Sequence, residues 1–401
     1  MIYSDVCGER LSRLGFGMMR LPLREDGRID EAAVEAMVDA ALANGVNYFD
    51  TAWPYHGGMS EIAAGRALGC HPRENYFLAT KYPGHQYAEA YHPQEIFEAQ
   101  LKKCGVEYFD FYLLHNVCET SIGVYEDPRW AIVDYFVEQK RRGRIRHLGF
   151  SSHAELPVLR RFLDQFGGCM EFCQIQLNYL DWTLQRAKEK YELLTDRGMP
   201  VWVMEPLRGG RLAQLSPEDT AALQALAPGE SAASWAFRWL MRLPGVKVIL
   251  SGMSSMAQME DNLHTFSQGS PLPDGKPLAA LEKIAQGMHA LIPCTGCRYC
   301  CGGCPAGLDI PSLLGSLNDA RFSRNSFTVG MKMESLPEDK LPTACLSCGA
   351  CTQICPQGIP IPELMRELAG MLASLPSWRR ICREREEAAR KLAAGGAAKT
   401  P

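Results

Sequence analysis

The sequence predicts an α/β chain in which a (β/α)8 TIM barrel is followed by a small, mainly α-helical, ferredoxin-like domain. Strand-like and helix-like segments alternate up to a stretch at 267–277 that is rich in Gly, Pro and Ser, and two copies of one cysteine pattern follow it. An open doubly wound sheet is the alternative, but that fold has fewer strands and a glycine fingerprint. Gly15 and Gly17 lack the third glycine of that fingerprint and are expected to allow tight packing in the first strand.

Short apolar runs predict eight strands: Leu14–Met19, Asn47–Ala52, Tyr76–Lys81, Asp110–His115, Arg146–Ser152, Cys173–Asn178, Val201–Pro206 and Val246–Gly252. Amphipathic segments between them predict helices: Asp30–Ala43, Pro93–Cys104, Trp130–Arg142, Leu156–Phe166, Leu184–Arg197 and Ala232–Arg242. Eight such βα units match the size of a closed barrel.

The two cysteine runs share the spacing Cys-x2-Cys-x2-Cys-x3-Cys-Pro, which is the bacterial ferredoxin pattern for two [4Fe–4S] clusters. Their members are Cys294, Cys297, Cys300 and Cys304, then Cys345, Cys348, Cys351 and Cys355. In that pattern the fourth cysteine usually reaches across to the other cluster. Zinc is the alternative occupant, but zinc ribbons favour Cys-x2-Cys pairs separated by a longer span. The other cysteines, among them Cys7 and Cys301, are expected to be buried or surface thiols.

Four segments are predicted: a barrel at 1–266, a linker at 267–285, the cluster domain at 286–375, and a charged, solvated helix or tail at 376–401. After each cysteine run a proline stands where a helix would begin, because its fixed backbone angle suits the first turn. The long spacer between the runs indicates a helical ferredoxin.

Composition excludes several partners. The 401 residues carry a net charge of −4 with 22% charged residues, which predicts no nucleic-acid or membrane surface. Apolar runs are too short to span a bilayer. Because sixteen cysteines occur without an apolar signal core at the N-terminus, a reducing cytoplasm is the expected location.

Polar residues stand at the ends of three predicted strands. Asp50 ends the second strand, with Tyr55 in the loop after it, while Lys81 ends the third strand and His115 the fourth. Barrel enzymes place their chemistry at this edge. A buried lysine needs a partner such as Asp50, and an ammonium beside Tyr55 would lower the pKa of the phenol. The four residues together predict a proton-transferring catalytic site.

These segments resemble the aldo/keto reductase family over about residues 10–266. FDTAWPYHGGMSE is similar to the family's Asp–Tyr segment, ATK to its lysine segment and LLHN to its histidine segment. The whole chain resembles the subgroup with a C-terminal [4Fe–4S] domain. The resemblance implies that a nicotinamide passes hydride to a carbonyl, that Tyr55 donates the proton, and that Lys81, held by Asp50, lowers the pKa of Tyr55. It further implies that His115 orients the substrate.

The resemblance also implies a set of cofactor contacts. These are Ser151, Ser152, Gln174, Pro206, Leu207, Arg208, Gly210, Gly252, Ser254, Gln258 and Asn262. Two positions depart from the family: Ser254 replaces a basic residue that binds the 2′-phosphate of NADPH, and Ser152 replaces an asparagine. NADH and NADPH therefore both stay open.

Three functions remain at this stage. The first is an NAD(P)H-dependent reductase of a small carbonyl, or oxidase of an alcohol, with clusters for electron transfer. The second is a cluster-driven one-electron reductase, and the third an electron-transfer or redox-sensing module without carbonyl reduction. A redox protein is a possible partner. Trp53, His56 and Trp182 are candidates for lining the substrate site.

Overall fold

The structure, a computed structural model, describes residues 1–288, 292, 294, 299–322, 327–355 and 358–396. Contacts divide the chain into two compact units. One comprises residues 1–284 and the segment from Arg385 onward, and the other comprises 285–384. The division between residues 284 and 285 lies at the end of the segment that is predicted as a linker, 267–285. The predicted domain boundaries themselves stay predictions.

The first unit contains a two-stranded hairpin and a closed eight-stranded barrel. The hairpin strands are β1 (Tyr3–Val6) and β2 (Glu9–Ser12). The barrel strands are β3 (Leu14–Gly17), β4 (Tyr48–Asp50), β5 (Phe77–Tyr82), β6 (Phe109–Val117), β7 (Ile145–Ser152), β8 (Cys173–Gln176), β9 (Val201–Met204) and β10 (Val246–Ser251). Neighbouring barrel strands are parallel, and β10 pairs with β3 to close the sheet. The predicted (β/α)8 barrel is confirmed.

Helices surround these strands in chain order. They are α1 (Glu31–Ala43), α2 (Ser60–Leu68), α3 (Pro93–Cys104), α4 (Ile122–Glu126), α5 (Ile132–Arg141), α6 (Leu156–Phe166), α7 (Asp181–Leu184), α8 (Ala187–Asp196), α9 (Pro217–Gln224), α10 (Ala232–Met241) and α11 (Met256–Gln268). Local signals set their ends: the side chain of Asp30 accepts a hydrogen bond from the backbone of Ala33 at the start of α1, and Gly105 ends α3 with a positive φ. All six predicted helices are present.

The hairpin was not predicted, because its strands have four residues each and little alternation. Val6 and Leu11 of the hairpin pack into the same buried cluster as Phe111, Phe172 and Trp202 of the barrel. The hairpin precedes β3, so it covers the amino-terminal end of the strands and leaves the carboxyl end open for a site.

The remaining helices are α12 (Lys276–Gly287), α13 (Tyr299–Gly302), α14 (Ile310–Phe322), α15 (Phe327–Ser335), α16 (Ala350–Gln353), α17 (Ile361–Met371) and α18 (Trp378–Gly396). Helix α12 begins at Lys276, within the segment 267–285 that is predicted as a linker. The described part of 285–384 contains helices and turns without a strand, as predicted. Leu314 and Leu317 of α14 and Met365 of α17 are fully buried in its core. Prolines stand in the first turn of α14 and α17, also as predicted.

Helix α18 confirms the predicted C-terminal helix but not a fully solvated one. Its first residue, Trp378, is buried, and the ring stacks with Phe327 at 5.9 Å between centroids. Cys382, one turn further on, is also buried. The start of α18 therefore packs in the second unit, since burying an indole of this size stabilises the contact.

Candidate active site

The four predicted catalytic residues all lie at the carboxyl end of the barrel strands. Asp50 is the last residue of β4, Lys81 lies one residue before the end of β5, and His115 lies near the end of β6. Tyr55 follows β4 in a short 3-10 helix, Tyr55–Gly58. Because parallel strands in register end at one rim, residues far apart in sequence are brought together here.

Lys81 and Asp50 form a fully buried ion pair. The Lys81 ammonium donates to Asp50 Oδ1 at 2.5 Å and to the carbonyl of Thr51 at 2.7 Å. Burial alone would lower the pKa of Lys81, but Asp50 more than offsets this and holds the pKa above its usual value. Lys81 therefore stays charged at neutral pH, although none of its side chain is exposed.

Tyr55 lies beside this ammonium, with Lys81 Nζ 5.0 Å from the centre of the phenol ring. Desolvation raises the pKa of Tyr55 above its usual value, while Lys81 acts in the opposite direction. The sequence predicted a net lowering; burial of the phenol outweighs the ammonium. Tyr55 thus carries its proton at neutral pH, which suits a proton donor.

His115 packs edge-to-face against Tyr55, with ring centres 5.9 Å apart. Burial, and then the neighbouring His85 and Lys81, hold the pKa of His115 well below its usual value. Its Nδ1 is buried without a hydrogen-bond partner among the described residues. The imidazole is therefore neutral, and its Nδ1 can form a hydrogen bond with a bound group.

His85, in the loop after β5, was missed by sequence reasoning. Its ring lies 4.3 Å from that of His115, and burial lowers the pKa of His85 to about 3. It comes after the end of a predicted strand, in a stretch without apolar alternation. Its position indicates that it helps to fix the His115 ring.

A second buried carboxylate, Glu61 of α2, supports β5 from outside the barrel. It accepts hydrogen bonds from Thr80 Oγ1 at 2.7 Å and from Gln100 Nε2 at 2.6 Å, and it pairs with Lys103 at 3.2 Å. Gln100 also donates to the carbonyl of Lys81 at 3.0 Å. The network therefore fixes the strand that carries the catalytic lysine. Sequence reasoning missed it, since its members are spread over three elements.

The three predicted nicotinamide contacts lie on the adjacent strands β7 and β8. Ser151 Oγ accepts from the backbone N–H of Asn116 at 2.8 Å, and Ser152 Oγ donates to the carbonyl of Val117 at 2.8 Å. Gln174 Oε1 is buried and has no partner among the described residues. A buried acceptor without a donor is costly, so a ligand amide at this position would satisfy it.

The loop after β9 holds the predicted pyrophosphate contacts. Pro206 is buried and Leu207 partly exposed, and Gly210 has a φ of +94° that favours glycine. Arg208 was predicted to meet phosphate, but it forms an ion pair with the fully buried Asp181 at 3.1 Å. Arg208 therefore anchors the loop to the barrel.

The predicted cofactor contacts between residues 252 and 262 differ in their exposure. Ser254 and Gln258 are exposed, and the Ser254 backbone N–H donates to Gln258 Oε1 at 2.7 Å. Asn262 is buried and donates to Ser251 Oγ at 2.9 Å, so it holds α11 to the end of β10. Gly252 is exposed at the rim, as a cofactor contact would be.

Arg20, which sequence reasoning did not single out, bridges these two segments. Its stem packs on Gly252, where an added Cβ would lie 3.3 Å from Arg20 Cβ. Its guanidinium lies over Gly209, where an added Cβ would be 3.2 Å from Nη2, and it pairs with Glu205 at 3.8 Å. Arg20 therefore places a half-exposed positive charge between the two predicted phosphate segments.

The aromatic candidates for the substrate site differ in their contacts. The Trp53 ring is covered by the Lys103 ammonium at 3.5 Å, and His56 Nε2 accepts from the backbone N–H of Leu21 at 3.1 Å. Trp182 packs edge-to-face on Trp239 at 5.3 Å. That contact gives Trp182 a packing role between helices.

In the second unit, cysteines of both runs line one pocket. They are Cys304 of the first run and Cys345, Cys348 and Cys351 of the second. Four thiols around one space suit a [4Fe–4S] cubane, and this set is the crossed arrangement expected from the spacing. Cys297 lies outside the described residues.

The neighbours of Cys300 define the rest of the cysteine set. Burial raises the pKa of Cys300 to about 12, with Cys301 and Cys294 also contributing. Cys355 is partly buried against the core of the same unit. Because Cys304 lines the pocket with cysteines of the second run, Cys294, Cys300 and Cys355 remain as ligands for a second cluster.

Comparisons with known proteins agree with this geometry. The sequence profile of the aldo/keto reductase family matches residues 13–276, and that of a 4Fe-4S dicluster domain matches 293–359. An aldo-keto reductase of Mycolicibacterium paratuberculosis is 27% identical over 60% of this chain and 78% of its own. The NADH-specific methylglyoxal reductase of Escherichia coli is 28% identical over 50% of this chain and 65% of its own.

A solved structure shows the same barrel. The holo form of an aldo-keto reductase from Bacillus halodurans superposes with a TM-score of 0.56 at 25% identity, and the match covers 72% of this chain and 96% of that one. The fold and the family match define a barrel oxidoreductase. The chain belongs to the aldo/keto reductase family and carries a C-terminal iron–sulfur domain. No helix in the described ranges is long and apolar enough to cross a membrane.

The crossed cysteine arrangement makes a direct prediction. Replacing Cys304 by alanine should remove the cluster held with Cys345, Cys348 and Cys351, because a cubane needs its fourth thiolate. Iron content after anaerobic purification should fall by about four atoms per chain. Cys301→Ala is the matched control and should keep all of the iron. Equal iron loss in both variants would contradict the assignment.

Proposed function

We propose that the protein is a nicotinamide-dependent oxidoreductase that reduces a small carbonyl compound or oxidises the corresponding alcohol, with Tyr55 as the proton donor. The observation that carries this proposal is the buried Lys81–Asp50 pair beside Tyr55 and His115 at the barrel rim. An ammonium is costly to bury, and a phenol next to it gains a stabilised anion, which is what proton donation requires.

Each residue has one task in this scheme. The nicotinamide, when bound, supplies a hydride to the carbonyl carbon. Tyr55 gives its proton to the carbonyl oxygen, so that hydride and proton together make the alcohol. Lys81 stabilises the phenolate that remains. Neutral His115 donates a hydrogen bond to the carbonyl oxygen and orients it.

The residues present fit the nicotinamide at two places. Gln174 Oε1 lacks a donor in the described structure and suits the carboxamide N–H group. Arg20 suits the pyrophosphate, since it lies between the loop at 206–210 and Gly252. Ser254 offers no positive charge to a 2′-phosphate, which favours NADH. The NADH-specific E. coli relative agrees with this preference.

We further propose that the second unit carries two [4Fe–4S] clusters that pass single electrons to a redox protein. One ligand set is Cys304 with Cys345, Cys348 and Cys351. From the cysteine spacing, the other set is Cys294, Cys297, Cys300 and Cys355. The support is the pocket that combines cysteines of both runs. A cluster-driven one-electron reductase is the second candidate function, and the same observation favours it.

Replacing Tyr55 by phenylalanine tests the proton donor. We expect kcat/KM for the reduction of methylglyoxal or 4-nitrobenzaldehyde by NADH to fall by about 10²- to 10⁴-fold, because general acid catalysis contributes that much. The dissociation constant of NADH, measured by fluorescence titration, should stay unchanged.

Tyr135→Phe, on α5, is the matched control and should keep wild-type turnover. Both proteins should have the same iron content. Full turnover in Tyr55→Phe would contradict the proton-donor role. If chemically reduced clusters alone then sustained turnover without NADH, the cluster-driven function would be favoured.

Replacing Arg20 by glutamine tests the phosphate contact. The dissociation constant of NADH should rise by about 10- to 100-fold, because a hydrogen bond to a charged group contributes about 1.5–3 kcal/mol. Isothermal titration calorimetry measures the change. Arg28→Gln removes a more exposed arginine that pairs with Asp26, and it should bind NADH normally. Normal binding by Arg20→Gln would place the pyrophosphate elsewhere.

A further inference from the structure

Three metal-ligating side chains meet at the amino-terminal end of the barrel, away from the rim. Cys7 lies in the turn of the hairpin between β1 and β2, His147 lies near the start of β7, and Glu171 lies just before β8. A sulfur, an imidazole nitrogen and a carboxylate oxygen of these residues lie within 4.8 Å of one another. Ser151 is four residues further along β7, so this cluster is about 13 Å from the predicted nicotinamide contacts.

The contacts within the cluster orient its donor atoms. His147 Nδ1 lies 2.9 Å from Glu171 Oε1, and His147 Nε2 lies 3.8 Å from Glu9 Oε1. Lys140 pairs with Oε2 of Glu171, which leaves Oε1 directed at the histidine. The His147 ring also stacks on Phe111 at 4.8 Å between centres, so its plane is fixed.

This donor set matches one metal in particular. Thiolate, imidazole and carboxylate together are typical ligands of Zn²⁺, whereas Mg²⁺ and Ca²⁺ take oxygen alone. Ligands at 2.0–2.3 Å from a tetrahedral zinc lie about 3.3–3.6 Å apart. The donor atoms here all lie within 4.8 Å of one another, and the 2.9 Å between His147 Nδ1 and Glu171 Oε1 would open slightly when the ion binds. One thiolate and one carboxylate would neutralise the ion.

Backbone and electrostatics agree with a bound cation. Cys7 has a φ of +55°, which is unusual for a residue with a side chain and fixes the direction of its thiol. Burial, and then Glu171, raise the pKa of Cys7 to about 11, so the bare thiol is protonated. Glu9 also raises this pKa, Lys140 lowers it, and a bound divalent cation would favour the thiolate.

We propose that Cys7, His147 and Glu171 bind a zinc ion. The ion would tie the hairpin to β7 and to the segment before β8, at the end of the barrel opposite the catalytic rim. Its role would be structural, because the hairpin, β7 and the segment before β8 would share one set of short metal bonds. The site is independent of the carbonyl chemistry and of the iron–sulfur cysteines.

Metal analysis of the full chain tests the site. Anaerobically purified protein with its iron intact is equilibrated with zinc sulfate, passed over a chelating resin and assayed for zinc and iron. Wild type should keep about one zinc per chain, and zinc-edge X-ray absorption should show one sulfur at about 2.3 Å and lighter ligands at about 2.0 Å. Cys7→Ser and His147→Gln should each lose the zinc and keep the iron.

Cys70→Ser, which removes an exposed thiol of the same unit, is the control and should keep the zinc. Zinc should also raise the melting temperature of wild type but not of Cys7→Ser, which checks the site even where a variant is less stable. Zinc-free wild type would overturn the proposal. So would a four-sulfur zinc environment, which would place the ion in the iron–sulfur cysteines, or equal retention by Cys7→Ser.

Discussion

The buried pair of Lys81 and Asp50 is the constraint on which the catalytic rim depends. An ammonium with no exposed surface is tolerated only beside a carboxylate and a carbonyl, and Asp50 and Thr51 supply both at 2.5 and 2.7 Å. The two strands that carry the pair are neighbours in the sheet, with Asp50 opposite Ala79. Barrel register, burial and proton chemistry are therefore coupled: a shift of β5 by one residue would turn Lys81 away from its partner.

The surroundings of this pair set the protonation states at the rim. Desolvation raises the pKa of Tyr55 and lowers that of His115, so the phenol keeps its proton and the imidazole is neutral, as the proposed proton transfer requires. Outside the barrel, Glu61 and Gln100 hold β5 in place. The iron–sulfur unit has its own buried core and its own cysteine-lined pocket, and its proposed function depends on its cysteines alone.

The sequence predicted the features that leave a local pattern, such as the apolar strands and the polar residues at their ends. Eight apolar runs gave the strands because strand burial leaves a local signal, and Asp50 and Lys81 were found because both end such runs. It missed Glu61, His85 and Arg20, whose partners lie on other elements. It gave no sign that Cys7, His147 and Glu171 lie together, since they approach one another only after the barrel closes. The ion pair between Arg208 and the buried Asp181 was also not foreseen, because Asp181 gives no local signal.

The pH profile of carbonyl reduction tests the central claim most directly. Reduction needs protonated Tyr55, so kcat/KM should fall as pH rises through the pKa of the phenol. Because the ammonium lowers that pKa, Lys81→Met should move the falling limb to higher pH, as well as slowing the reaction. Lys103→Met, which removes another lysine paired with a buried carboxylate, should leave the limb in place. A limb that does not move in Lys81→Met would contradict the account.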